Sequence, residues 1–140
     1  MSRRFFIMAA MLLPLYVCAQ GQLQPFKGLF TNEQFAIRCQ INLYEEDIPV
    51  PGMELDSCYG YMQGHLNGTW VFLKVKTLDD DGALVRAAND KGSDAQDVRI
   101  TYDEEGRLLL RQVDGSAIKG VEGKKYVKLP KPLPLQPLGK

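Results

Sequence analysis

Residues 36–44, AIRCQINLY, alternate without a break: Ile37, Cys39, Ile41 and Leu43 take one face, and Arg38, Gln40, Asn42 and Tyr44 the other. A period of two sustained this long predicts a half-buried β-strand. The next stretch, EEDIPVPGMELD, holds acids and prolines and predicts a long loop. Beyond it, short runs rich in β-formers (TWVFLKVKTL, ALVRAA, AQDVRITYD, RLLLRQV, SAIK, KKYVKL) alternate with turn signals. Those signals are Asn67-Gly68, Asp80-Asp81-Gly82, Asn89 to Asp94, Glu104-Glu105-Gly106, Asp114-Gly115-Ser116 and Gly120 to Gly123. No segment of domain-helix length carries a 3.6-residue period. Evenly spaced short strands with Gly-containing turns predict an all-β fold, and turns this short join antiparallel neighbours. The expected architecture is an up-and-down antiparallel barrel of about eight strands, which closes to remove its edges. The expected organisation is residues 1–19 as a signal peptide, 20–34 as an N-terminal segment, 35–129 as the barrel and 130–140 as an extended, mobile proline-rich tail.

One hairpin concentrates the unusual residues. YGYMQGHLNGTW, residues 59–70, holds the chain's only histidine and its only tryptophan. Asn67-Gly68 between β-like runs predicts a two-residue turn, because both positions need positive φ. That turn sets Leu66 opposite Thr69, Gly64 opposite Val71 and Met62 opposite Leu73 on an inner face that continues to Cys58. On the outer face His65 meets Trp70, Gln63 meets Phe72, Tyr61 meets Lys74 and Tyr59 meets Lys76. An exposed ladder of Tyr59, Tyr61, His65, Trp70 and Phe72 then follows, with the composition of a protein-binding hot spot. Cross-strand pairs that only stabilise the hairpin, a cover supplied by residues 23–35 or the tail, and a small-ligand or glycan platform are the other readings. The same register turns Cys39 and Cys58 inward, so a disulfide between them is expected, worth ~3 kcal/mol in the chain-entropy model. Two buried free thiols are the alternative.

The ends and the charge narrow the function. Arg3 and Arg4, the apolar run Phe5 to Val17 and the small residues before Gln20 have the layout of a secretory signal peptide cut before Gln20. A lipoprotein cut before Cys18 and an uncleaved membrane anchor are the alternatives. The apolar run is short for a membrane of ~30 Å, so no transmembrane segment is expected in the mature chain. The whole chain has 17 basic and 17 acidic residues. No basic excess points to nucleic acid. Charge is unevenly placed, however, with residues 28–60 acidic and 115–140 basic. Asp79-Asp80-Asp81-Gly82 and Asp90 to Asp94 resemble fragments of calcium loops but lack the closing glutamate, and read as turns. No CxxC, P-loop, GxSxG or HExxH occurs, and His65 has no nucleophile at a fixed spacing. No metal and no cofactor are expected, and a binding protein is expected rather than an enzyme.

Lys27-Gly28-Leu29-Phe30 resembles the first-strand GxW signature of lipocalins and other calycins, with Phe30 in place of the tryptophan. The alanine–glutamine junction, VPGME, YGYM, the NDxGS turn and the closing KxVKLPK make the chain similar to small exported β-barrel proteins of Bacteroidota-type bacteria. One group of that size, the potempins, are secreted or lipid-anchored peptidase inhibitors. The resemblance implies an exported barrel in the periplasm, on the outer membrane or outside the cell. It would bind a protein partner, with a peptidase as the candidate class. A carrier of a small apolar ligand inside the barrel is the second expectation, and an enzyme of unknown type the third.

Overall fold

The computed structural model describes residues 24–52, 57–91 and 94–138. The expected signal peptide and the segment up to residue 23 lie outside these residues, as do Gly92 and Ser93 of the NDxGS turn. Ten strands form in chain order: β1 Lys27–Asn32, β2 Ile37–Asn42, β3 Gly60–Gln63, β4 Trp70–Asp79, β5 Gly82–Asn89, β6 Ala95–Tyr102, β7 Leu108–Gly115, β8 Lys119–Glu122, β9 Lys125–Lys128 and β10 Leu133–Pro137. Eight of them close an antiparallel barrel in the order β1-β10-β7-β6-β5-β4-β3-β2, which is up-and-down topology. Among the described residues there is no helix long and apolar enough to cross a membrane.

The strand number agrees with the sequence, but two members differ. SAIK and KKYVKL do not enter the barrel: their strands β8 and β9 pair only with each other, as a separate hairpin between β7 and β10. Their places in the ring are taken by β1 and by β10, the expected tail. In LPLQP, Leu133 and Leu135 point inward and are 2% and 0% exposed, while Pro134 between them faces outward. A proline has no N–H to give to a ladder, which makes such a segment read as non-strand. Here Asn32 Nδ2 on β1 donates to Pro134 O at 2.9 Å, so a side chain contributes to the junction.

The interior is filled by side chains. Ile37, Cys39 and Ile41 of β2, Met62, Trp70, Phe72, Val85, Val98, Ile100, Leu108 and Leu135 all lie in one buried cluster. One end is stoppered by Phe26, whose ring packs 5.6 Å from that of Tyr102. A second, smaller cluster lies outside the wall. There the loop after β2 folds back so that Ile48, Val50 and Cys58 cover Tyr61 and Val71.

The β3–β4 register corrects the sequence reading. Met62 pairs with Trp70, Tyr61 with Val71 and Gly60 with Phe72. Relative to the expected hairpin this is a shift of three positions, and an odd shift exchanges the faces. Trp70 and Phe72 are therefore inside the barrel, each 0% exposed. Energetics explain the choice. A fully buried large aromatic contributes several kcal/mol through lost apolar surface, whereas an outer cross-strand pair contributes ~0.2–1 kcal/mol. Asn67-Gly68 accordingly lies within a wider loop between Gln63 and Trp70.

Candidate functional site

The structure does not assemble the expected outer ladder. Trp70 and Phe72 are core residues, and Tyr61 is 1% exposed beneath the loop after β2. Tyr59 is half-buried against the core, and His65 alone of the five is exposed. The expected disulfide is absent: both thiols are free. Cys39 points into the barrel opposite Met62, and Cys58 lies in the outer cluster beyond the wall. The Cys58 thiol is already engaged, within 3.3 Å of Ile48 O and 3.1 Å of Gly60 O. Burial raises both thiols above their ordinary values, Cys39 to about 12, so neither is a thiolate at neutral pH.

The stretch of residues 59–70 has a different role. Its loop fastens the β8–β9 hairpin, hereafter the flap, across one mouth of the barrel. Leu66 bridges to Gly120, and Val121 N donates to His65 O at 2.8 Å. Asn67 is the main fastening. Its backbone N–H donates to Lys119 O at 3.0 Å and its side-chain amide to Ala117 O at 3.3 Å. Asn67 Oδ1 accepts from Lys119 N and from Trp70 Nε1, both at 3.0 Å. On the other side Gln112 holds the flap base twice, accepting from Ile118 N at 2.8 Å and donating to Ile118 O at 2.9 Å. Gly120 lies against the ring of Phe35, where a Cβ would collide with it.

The flap's two faces differ. Gly120 is buried and Val127 half-buried toward the barrel, while Lys119, Val121, Tyr126 and Lys128 alternate onto the outer face. Tyr126 is 62% exposed, the only large aromatic so exposed among the described residues. Lys119 Nζ stands 5.9 Å from the centre of its ring. Lys119 is also directly opposite Lys128. Like charges in that relation are unfavourable, so this pair is not explained by hairpin stability. Residues 117–131 carry five lysines and one glutamate. β9 is the outer strand of its sheet, and lysines there deter casual strand pairing.

At the base of the flap lies a cleft of about 390 Å³ lined by Gln112, Ala117, Ile118, Lys119, Lys128, Leu129 and Lys131. Its floor is apolar, since Ile118 and Leu129 are buried there. Three lysines surround it. The arrangement can hold an apolar group that ends in an anion, or the side chains of an acidic peptide segment. Among the described residues no group of three His, Cys, Asp or Glu side chains is placed to hold a metal ion. The carboxylate of Asp79 instead accepts from the N–H groups of Asp81 and Gly82, closing the β4–β5 turn. The flap was missed from sequence because SAIK and KKYVKL look like two more barrel strands. The available signal was the glycine pair Gly120 and Gly123 among lysines. Comparison with known protein families, with curated proteins and with solved structures gives no match.

Proposed function

We propose that the chain is an exported, non-catalytic β-barrel that binds another protein, and that the flap is its binding element. The observation that carries this reading is the outer face of the flap, where Tyr126 stands exposed beside the opposed pair Lys119 and Lys128 on a hairpin pinned to the barrel. Tyrosine beside cations is typical of interface anchors, and a preorganised hairpin loses little entropy on binding. The complementary partner presents an acidic side chain next to an apolar one. Peptidases are the partner class to test first, because a projecting hairpin fits a substrate groove.

The test is capture of partners from the source envelope and medium fractions on the immobilised protein, repeated with Tyr126→Ala and with Lys128→Glu. The expected result is loss of the same captured protein in both variants at unchanged melting temperature. Equal capture by wild type and variants removes the flap from the reading. Inhibition assays against the captured protein, if it is a peptidase, establish the activity.

A second reading is favoured by the cleft. The barrel interior is occupied by side chains, so a carried amphiphile belongs in the cleft at the flap's base, its anionic end on Lys119, Lys128 and Lys131. Displacement of a fluorescent fatty acid, lost in Lys131→Glu and retained in Tyr126→Ala, distinguishes this carrier reading from the first.

A further inference from the structure

The outer wall formed by β4, β5, β6 and β7 has a charge pattern that the fold does not need. Lys74 lies directly opposite Arg86, and Arg99 directly opposite Arg111. All four are exposed. Directly opposed like charges weaken a sheet. One carboxylate relieves part of the strain: Asp97 takes Lys76 Nζ and Arg86 Nη1, each at 2.8 Å. Among the described residues the ion pairs leave Lys74, Arg99 and Arg111 without an acidic partner. Apolar side chains share this wall. Leu73 is 46% and Val113 53% exposed, and Leu84 and Leu109 are half-buried.

The same strands end in acid. The β4–β5 turn carries Asp79, Asp80 and Asp81, and the β6–β7 turn carries Asp103, Glu104 and Glu105. In an up-and-down barrel both turns lie at one end of the wall. Arg107 engages Asp103 at 2.7 Å and Glu105 at 3.5 Å, and Asp79 is used within its own turn. Asp80, Asp81 and Glu104 remain exposed.

We propose that this wall is a dimer interface, and that its occupant is a second copy of the chain packed face to face and antiparallel, across a two-fold axis that lies in the plane of the interface and runs perpendicular to the strands. Five residues separate Arg99 from Glu104, roughly 16 Å along a strand. A two-fold axis midway between them sets the acidic turns of each copy on the cations of the other. Both contacts then form at once, which is the self-complementary arrangement of a closed dimer. Four strands at ~4.8 Å spacing and eight residues at ~3.3 Å give a face of roughly 19 by 26 Å. That is the scale of a modest protein interface, and it covers Leu73, Leu84, Leu109 and Val113. An anionic membrane and an acidic polymer also match the cations. Neither explains why the acidic turns adjoin the cationic wall in a spacing that repeats by rotation.

Sedimentation velocity on the purified protein tests this with two charge-reversed variants. R99E/R111E makes the wall acidic, and E104K/E105K makes the turn that it meets basic; Asp103 is left in place because it holds Arg107. The wild type should sediment as a dimer in low salt and weaken at least about tenfold between ~0.02 M and ~0.3 M salt, as exposed charges are screened. Each variant alone should be a monomer with a normal circular dichroism spectrum. An equimolar mixture should form a one-to-one heterodimer, since both contacts are again complementary. The chain carrying all four changes should dimerise with itself, which also shows that the substitutions permit folding. A monomeric wild type at every salt concentration overturns the proposal. So does a dimer indifferent to both variants. Co-flotation of a monomeric wild type with phosphatidylglycerol vesicles, lost in R99E/R111E, assigns the wall to a membrane and likewise overturns it.

Discussion

Trp70 and Asn67 are joined by a hydrogen bond of 3.0 Å from the indole N–H to the amide oxygen, and that same oxygen accepts the N–H of Lys119 in the flap. The core and the flap are thus connected through one side chain. Asn67→Ala removes three side-chain hydrogen bonds and leaves the indole N–H of a fully buried tryptophan unpaired. A loss of about 2–4 kcal/mol is expected from unfolding in urea. Amide exchange should rise across residues 117–131 before it rises in β5 or β6.

Trp70 and Tyr126 should separate stability from binding. Trp70→Ala vacates a site that is 0% exposed, and about 3–5 kcal/mol should be lost. Tyr126→Ala removes an exposed ring and should change stability by less than ~0.5 kcal/mol. Thermal melts of the two variants check both values. A large loss in Tyr126→Ala would mean that the ring is part of the fold rather than free for a partner.

Acid should weaken the wall through Asp97. The hydrogen bond from Lys76 lowers its carboxyl below the ordinary value; burial opposes this, and Arg86 adds to the lowering. A carboxylate held down in the fold contributes stability above its unfolded value, near ~3.9, and loses that contribution as pH falls below it toward the folded value. Asp97→Asn should therefore cost about 1–3 kcal/mol at neutral pH. Denaturation curves of variant and wild type should converge as pH drops from about 4 toward 2.

Alkali should act through the thiols. With Cys39 pushed up to about 12 by burial, its neutral form is favoured in the fold. A raised value in the fold gives a contribution that is complete below the unfolded value, ~8.5, and declines as pH rises toward the folded one. The melting temperature should fall between about pH 9 and pH 11, and less steeply in Cys39→Val. Maleimide labelling of both cysteines should be slow until denaturant is added.

The barrel was legible because its evidence is local. Ile37, Cys39 and Ile41 alternate, and so do Ala83, Val85 and Ala87; both sets lie inside. The short turns after β4 and β6 also stand where the glycines put them. The candidate site was not legible, for two reasons. Asn67-Gly68 is a strong local turn signal, but the burial of Trp70 and Phe72 outweighs it, and burial depends on the whole ring of strands. SAIK and KKYVKL have strand chemistry and do form strands. Sequence pattern says nothing about whether a strand finds its partners in the barrel or only in its neighbour. Leu133 and Leu135 were hidden by the prolines between and after them, although their alternation matches that of any inward-facing strand.

The ring is sealed where β1 meets β10, bringing Phe30 beside Pro137. A growing chain therefore cannot complete its barrel until residues 133–137 have been made. Contacts this distant in sequence also form slowly. During synthesis the polypeptide stays open at the seam, and the last closing step of the barrel falls to the final strand made.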